Sequence, residues 1–491
     1  MKRALSHPLV ALCAGLALRL FLVLKFPATS GDTPLYEELA TNWLKHGVYG
    51  VTLNGALTPV DVRMPGYSAL LTVLYAITGR TGEAARLPIM LFQIATDLAC
   101  CLVIAAIASS IVKLVAGSIP AKRAFKIALW LAVLCPFTAD YTAVVLTETP
   151  ATLFSAVSLY LLVRLAESSA ELFWPTARLK ASWDKSPAYW AGLFGVSVGA
   201  TTLLRPESPL LLVVAWLVFA VSFFSHGEFV RWFKLALLSG VVCFAILIPW
   251  TIRNAITLHE FQFLAPKDAT LPTEHPPVGF MAWERTWLYR MSECYAVTWK
   301  LNEENINLED IPTRAFDSEA EKEHIARLLE RHNKDNNLSV EADSEFGAIA
   351  RRRITRHPLR TYLYVPLQRV LTIWFTPRIE LLPFNGKVFP IAQEWEDDRP
   401  DLTVTLLFFF LNVSYLLAAL WGALKVWSWG RPARLALLPI LAYIAIRTAF
   451  LTIVEAPEPR YVLVCFPAIL ALVAIAFTKR PAAPNAVQRP A

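Results

Sequence analysis

Charge is scarce in this chain, and cysteine is scarcer. Asp, Glu, Lys and Arg make up 17% of the 491 residues, whereas 56% are hydrophobic and the mean hydropathy is +0.46. Apolar stretches near bilayer length recur along the chain, which excludes a soluble multi-domain protein and implies a polytopic membrane protein. The net charge of +7 is then read by its location, and no nucleic-acid partner is expected. Six of the seven cysteines (Cys13, Cys100, Cys101, Cys135, Cys243 and Cys465) fall inside apolar segments, and only Cys294 lies in a polar loop. That distribution offers no disulfide framework and no zinc spacing. No internal repeat is found, and paired repeats would mark a transporter or lipid flippase, the rival class for so apolar a chain. Lys2 and Arg3 ahead of Leu9 to Phe26 have the outline of a signal peptide. Arg19 inside the run, with no convincing A-x-A site after it, favours an uncleaved first span.

Ten spans are expected, at about 8–26, 88–112, 124–142, 150–166, 188–204, 207–225, 234–252, 402–426, 434–452 and 460–478. Several are shorter than the usual ~20 residues. Lys2 and Arg3, Lys113, Lys122 and Arg123, Arg178, Lys180 and Lys185, Arg231 and Lys234, Arg431 and Arg434, and Lys479 and Arg480 all fall on one side. That side is the cytoplasm, with both termini inside. The alternate loops, Asp140 to Thr149 and Glu455 to Arg460 among them, carry almost no Lys or Arg. The Asp32 loop, Thr147-Glu148, Arg205-Pro206-Glu207, Arg253-Asn254 and Glu455 to Tyr461 therefore share the outer side. A charge at mid-membrane costs about 2.5–3.5 kcal/mol on insertion scales, so charges recurring at one depth point to a functional polar chamber. Arg19 and Arg447 lie within spans, either facing that chamber or snorkelling.

The stretch from Ser30 to Tyr67 is too polar to cross a bilayer. Thr33 as cap and Pro34 at the first helical position open a helix whose Leu35, Leu39 and Trp43 share one face. This is the pattern of an interfacial helix. Asp32 sits at its mouth and Tyr36, four residues on, shares its face. Arg63 precedes Pro65-Gly66-Tyr67, which opens a short apolar run from Ser68 to Thr78. Two readings stand side by side. Asp32 caps a helix and Arg63 snorkels, or the carboxylate, phenol and guanidinium form a site where lipid meets water.

Residues 254–361 form the one sizeable soluble region, on the outer side. Ile325, Leu328, Leu329 and His332 recur at helical spacing, and Phe346, Ile349 and Ile354 continue the pattern beside Arg351, Arg352, Arg353 and Arg356. A helical lid resting on headgroups is favoured over a specific phosphate site. Tyr362 to Thr376 looks like a span, but crossing there would invert every later loop charge, so it is read as interfacial or re-entrant. The expected fold class is an all-α integral membrane protein of about ten transmembrane helices, with interfacial helices in the first outer loop. Its expected divisions are a transmembrane module (1–253, with a catalytic first outer loop at 27–87), an extracytoplasmic and interfacial helical region (254–401), C-terminal transmembrane helices (402–478) and a disordered cytoplasmic tail (479–491).

Several motifs resemble the GT-C class of membrane glycosyltransferases, particularly the bacterial relatives of protein O-mannosyltransferase and lipid A aminoarabinose transferase. They are Gly31-Asp32-x-x-x-Tyr36, Leu39-Ala40, Gly47-x-Tyr49, Arg63-x-Pro65-Gly66-Tyr67, Thr147-Glu148, Leu204-Arg205-Pro206-Glu207, Pro249-Trp250-Thr251-Ile252-Arg253-Asn254 and Glu458-x-Arg460-Tyr461. Each is weak alone; their order and common side of the membrane are specific together. The resemblance covers most of the chain except His259 to about Arg356. It implies a sugar transferase using a polyprenyl-phosphate donor, facing a periplasm or lumen, with compact loops favouring a bacterial inner membrane. It implies Asp32 as the catalytic carboxylate and Arg63 as the residue associated with the lipid phosphate. Thr33 stands where many members carry a second acid, and Met64 where the aminoarabinose relatives have a first Pro.

The chemistry asks for the same residue types. Phosphate departs without a proton, so the donor side needs cations, from Arg63 with Arg205, Arg253 or Arg460 as further candidates. The acceptor hydroxyl needs a base, from Asp32, worth typically ~10²–10⁴ in rate. A single displacement inverts the anomeric carbon. Glu148 is the second catalytic candidate. Its candidate roles are orienting the acceptor, helping to hold a divalent metal or pairing with an arginine, and pairing is ranked first. Tyr36, Tyr67 and Tyr461 complete the substrate-binding candidates. His259-Glu260 and Glu274-His275 are read as exposed loop residues rather than metal ligands, and a divalent metal stays open. The acceptor is a lipid, a polysaccharide or a protein.

Overall fold

A computed structural model describes residues 7–173, 186–224, 227–266, 270–272, 274–454 and 456–478. Lys2, Arg3, Arg178, Lys180, Lys185, Glu455, Lys479, Arg480 and the expected tail lie outside the described residues. In chain order the helices are α1 (Pro8–Lys25), α2 (Thr33–His46), α3 (Pro65–Thr78), α4 (Arg86–Ala116), α5 (Ser118–Val133), α6 (Pro136–Ala139), α7 (Glu148–Phe173), α8 (Pro187–Thr202), α9 (Leu210–Phe224) and α10 (Phe229–Thr257). Then come α11 (Val278–Glu284), α12 (Met291–Ala296), α13 (Glu319–Asp335), α14 (Val340–Arg356) and α15 (Val365–Trp374). The last are α16 (Ile391–Asp397), α17 (Arg399–Trp427), α18 (Arg431–Leu451) and α19 (Phe466–Ala476).

Among the described residues seven helices are long and apolar enough to cross a membrane, or eight if α5 and the helical turns at Pro136–Ala143, bent by 55°, are one broken span. Helices α8 and α9, at 16 and 15 residues, coincide with expected spans but fall short of that length. Among the described residues the protein is an all-α membrane protein apart from the hairpin of β1 (Gly50–Leu53) and β2 (Ala56–Pro59). Its turn is Asn54-Gly55, both at positive φ, the pair that a two-residue hairpin favours. Gly50 admits no side chain, because a Cβ there would lie 2.4 Å from the Thr58 carbonyl.

The chain divides into two compact units. The first comprises Met1–Ala269, Pro377–Ala445 and Leu463–Ala491; the second Thr270–Thr376 and Ile446–Val462. In the first, Arg19 neither snorkels nor faces water. It is fully buried, donating from Nε to Asp97 of α4 (2.7 Å) and from Nη1 to the carbonyls of Gly15 (3.0 Å) and Val133 (2.8 Å). One guanidinium thus joins α1, α4 and the end of α5, and every donation meets an acceptor as burial demands. Tyr141 donates to Glu380 (2.8 Å), so residue 380 lies at the same end of the bundle as the α5–α7 connection. Arg253 at the end of α10 reaches the first loop at that end as well.

The second unit has its own core, with Phe280, Trp283, Trp287, Leu328 and Phe346 at its centre. Ile325, Leu328, Leu329 and His332 are buried on one face of α13. Asp343 of α14 accepts from the amides of Gly279 (3.0 Å) and Phe280 (2.8 Å), capping α11. Arg353 is not at the surface with its arginine neighbours: it is buried, paired with Asp317 (3.0 Å) and Glu321 (2.7 Å). Arg447 is buried too and holds the Tyr461 carbonyl from Nε (3.0 Å) and Nη2 (2.8 Å).

Glu284 closes α11 inside this core. Its Oε1 accepts from Thr298 (2.7 Å), while Oε2 meets no hydrogen-bond partner. Burial pushes its carboxyl up to about 8. The folded state then holds this proton more tightly than the unfolded chain. Stability from the group is complete below the ordinary carboxylate range and is lost as pH rises through about 8. Glu284→Gln keeps the acceptor for Thr298 and removes the titration. We expect the melting temperature of wild type to fall between about pH 5 and 8, and the variant to show a clearly flatter profile, read by differential scanning fluorimetry.

Candidate functional site

The site begins where the backbone is least regular. Residues 141–150 are all buried, yet no α-helix forms there before Glu148. Five consecutive carbonyls in this connection each accept a hydrogen bond. Tyr141 accepts from Thr149 Oγ1 (3.0 Å), Thr142 and Val144 from Gln93 Nε2 (3.3 and 2.8 Å), Ala143 from the Ala28 amide (2.9 Å) and Val145 from Thr33 Oγ1 (3.1 Å). The donors are the segments that carry the sequence-derived candidates. Ala28 and Thr33 flank Asp32, and Thr149 adjoins Glu148.

Asp32 occupies the N-cap position of α2, but its backbone is already helical and its side chain makes no capping hydrogen bond. The capping reading therefore fails, and Thr33, expected as the cap, is the first helical residue. The Asp32 carboxylate instead faces Arg63, with Nη2 2.9 Å from Oδ1. The two side chains are 25% and 28% exposed, so water or a ligand reaches both. The Arg63 backbone is itself fixed, its carbonyl accepting from Tyr49 Oη at 2.9 Å.

Glu148 is the first residue of α7, where a carboxylate is favoured by the helix dipole. It is buried and accepts from Arg205 Nη1 at 3.2 Å, and Arg205 Nε donates to Glu207 at 3.0 Å. Pairing, ranked first for Glu148 from sequence, is what the geometry contains. Arg205 is brought up by α3, because the Gly66 amide donates to the Leu203 carbonyl at 2.7 Å. A Cβ on Gly66 would stand 2.5 Å from that oxygen.

Tyr36 lies between the two ion pairs. Burial raises its phenol to about 12, the Asp32 charge adds to this, and Arg63, Glu148 and Arg205 also act on it. It stays a neutral donor throughout the physiological range. Tyr67 packs edge-on against it with ring centroids 5.1 Å apart, and donates to Gln93 Oε1 at 2.8 Å. Asp32, Arg63, Tyr36, Tyr67, Glu148 and Arg205 thus form one neighbourhood, with three carboxylates, counting Glu207, to two guanidiniums.

Arg253 is committed elsewhere in this unit. It donates to the carbonyls of Val60 (2.9 Å) and Tyr49 (2.5 Å) and lies over the rings of Tyr49 and Trp250, so it anchors the hairpin. Arg460 and Tyr461 belong to the second unit. Glu458 accepts there from Arg460 Nη2 (3.1 Å) and from Tyr461 Oη (2.5 Å). Two contributors escaped the sequence reading. Gln93 is a lone amide in an apolar run, and Arg86 forms a two-pronged pair with Glu37 (2.8 and 2.9 Å) that ties α2 to the start of α4. Among the described residues no three His, Cys, Asp or Glu side chains gather as metal ligands.

No family model matches the chain, and no curated protein matches it in sequence. Its fold has solved counterparts. The archaeal oligosaccharyltransferase AglB from Archaeoglobus fulgidus, in complex with an inhibitory peptide and a dolichol-phosphate, is 12% identical, with TM-score 0.51 over 96% of this chain and 50% of that one. An Archaeoglobus fulgidus oligosaccharyltransferase tethered to an acceptor peptide is 12% identical, with TM-score 0.50 over 96% of this chain and 49% of that one. ArnT from Cupriavidus metallidurans in the apo state is 15% identical over 95% of this chain and 76% of that one, at a TM-score of 0.37 that carries no argument. This chain spans about half the length of the oligosaccharyltransferases it matches. What it shares with them is the fold.

Gln93 is testable as the strut of this site. Gln93→Met strands the Tyr67 hydroxyl and the carbonyls of Thr142 and Val144, at about 1–3 kcal/mol for each group left unsatisfied. Tyr67→Phe strands only the amide oxygen. We expect both variants to melt below wild type in detergent, with Gln93→Met lower than Tyr67→Phe. Equal melting of Gln93→Met and wild type would refute the strut.

Proposed function

We propose that this protein is an integral membrane glycosyltransferase moving one sugar from a polyprenyl-phosphate donor to a lipid, polysaccharide or protein acceptor. The observation that carries the reading is the accessible Asp32–Arg63 pair beside Tyr36 and the Glu148–Arg205 pair. The dolichol-phosphate held by a protein of like fold supports a lipid-linked donor. Asp32 takes the proton of the acceptor hydroxyl. The acceptor oxygen forms its bond to the anomeric carbon as the bond to phosphate oxygen breaks, and the electron pair leaves with the phosphate. The displacement inverts the centre.

Arg63 receives the phosphate. Its partial exposure lets a phosphate compete with Asp32 for the guanidinium, which frees the carboxylate to act as base. Glu148 and Glu207 hold Arg205 in a fixed pose, so this trio supports the site and leaves the substrate to Asp32 and Arg63. Tyr36 faces the sugar, backed by the buried ring of Tyr67. Arg253 positions the hairpin. The proposed topology is ten spans with both termini cytoplasmic and the Asp32 end at the periplasm or cell exterior of a bacterial inner membrane.

Asp32→Asn keeps the shape and removes the capacity to accept a proton. Folded variant should still bind donor and lose transfer by at least ~10²-fold. Turnover within a few-fold of wild type would remove Asp32 from the mechanism. Arg63→Ala should weaken donor binding by about 1.5–3 kcal/mol, the worth of a charge-assisted hydrogen bond, and unchanged donor affinity would assign Arg63 to the lipid surface instead. A cysteine at the exposed Asn305 should react with an impermeant reagent in intact cells. Labelling only after lysis would reverse the topology.

A further inference from the structure

The second unit contains two successive helical segments with different exposed surfaces. Helix α14 ends at His357, whose backbone is not helical, and a second segment runs from Pro358 through the π turn Arg360–Tyr364 into α15. Along this second segment Leu359, Leu363, Leu367, Leu371 and Phe375 recur every four residues and are 46–74% exposed. In an unbroken α-helix five such positions would drift about 160° round the axis. A π turn inserts about one residue, equivalent to about 100°, and so returns most of that drift. The π turn thus keeps these five side chains on one side of the second segment.

The arginines of these two segments behave differently. Arg353 and Arg360 are held by Asp317. Arg351, Arg352 and Arg356 are exposed, and none forms an ion pair with a described residue. An exposed, uncompensated cationic cluster at the end of α14 therefore directly precedes the exposed apolar band in the chain. Both ends of the unit's long segment lead back into chain that carries spans, α10 before it and α17 after it. A soluble protein partner would not need an apolar band about 24 Å long, the rise over sixteen residues, on a unit tethered this way.

We propose that this stretch docks on anionic phospholipid, with Arg351, Arg352 and Arg356 at the headgroup phosphates and the Leu359–Phe375 band in the acyl boundary. Amphipathic helices with basic residues at the polar edge bind such surfaces by buried apolar area together with electrostatic attraction. The inference concerns the second unit alone and does not depend on the glycosyl-transfer reading.

The test uses full-length protein in nanodiscs of phosphatidylcholine, with or without phosphatidylglycerol. Cys13, the exposed cysteine, is replaced by serine. A nitroxide is placed at Leu367→Cys or, as a solvent control, at Asn305→Cys. Collision with oxygen is compared with collision with a water-soluble nickel chelate. In discs containing phosphatidylglycerol the Leu367 label should favour oxygen severalfold over the control. That preference should fall severalfold without phosphatidylglycerol, and equally in the R351Q/R352Q/R356Q variant. A Leu367 label as open to nickel as the control overturns the docking. Immersion that ignores both phosphatidylglycerol and the three arginines overturns the anionic headgroup. If the variant raises KM for a polyprenyl-phosphate donor with immersion unchanged, the arginines serve the donor and the proposal falls. Should the triple variant fail to fold, the phosphatidylglycerol dependence of the wild-type background decides alone.

Discussion

The structure depends on the satisfaction of five consecutive carbonyls, Tyr141 to Val145, in a buried connection that is not an α-helix. Backbone of this kind is tolerated at membrane depth only where protein, not lipid, surrounds it, because an unpaired polar group there costs several kcal/mol. The donors come from Ala28, Thr33, Gln93 and Thr149. Satisfying the connection therefore fixes the entry to α2, one turn of α4 and the start of α7 in a single step. Asp32 and Glu148 inherit their positions from it. The site is a consequence of how a buried loop finds its hydrogen bonds.

The two ion pairs have different exposure and so different uses. Glu148 and Arg205 are almost wholly buried, and separating them would leave a desolvated charge, which typically costs 3–5 kcal/mol. Such a pair is a fixture. Asp32 and Arg63 keep about a quarter of their surface in contact with solvent, where an exposed pair is worth about 0–1 kcal/mol. Such a pair can open to an anion at little expense. Two pairs of the same chemistry thus divide into one that holds the site and one that can respond to substrate.

How much of this could be read from the chain follows from which interactions have a local signature. Every expected span coincides with a helix or a bent helical pair, since hydropathy over ~20 residues is a local property. The meeting of Asp32 with Arg63 and of Glu148 with an arginine was legible from their shared side of the membrane. The hairpin was missed although Asn54-Gly55 announces it, because the flanking strands are only four residues each and carry little alternation. Arg353 was grouped with its surface neighbours, since a run of arginines hides which one faces the core. Gln93 and Arg253 gave no signal of their contacts. One bonds residues about fifty positions away and the other about two hundred, separations that only the folded chain closes. The second unit was illegible as a unit for the same reason, being assembled from 270–376 and 446–462.

The distribution of arginine links the two units by a common logic. Arg19, Arg205, Arg353 and Arg447 are buried, and each is bonded to carboxylates, to carbonyls or to both. Each joins elements that are distant in sequence, a role suited to a planar donor with five N–H groups that cannot discharge by losing its proton. Arginines that serve as internal struts are unavailable to a substrate. Cationic chemistry at a ligand must then come from residues whose partners are exposed or absent. In the first unit that description fits Arg63, and in the second it fits Arg351, Arg352 and Arg356. Burial and pairing therefore sort one residue type into struts and contacts, a distinction that charge counting along the chain cannot make.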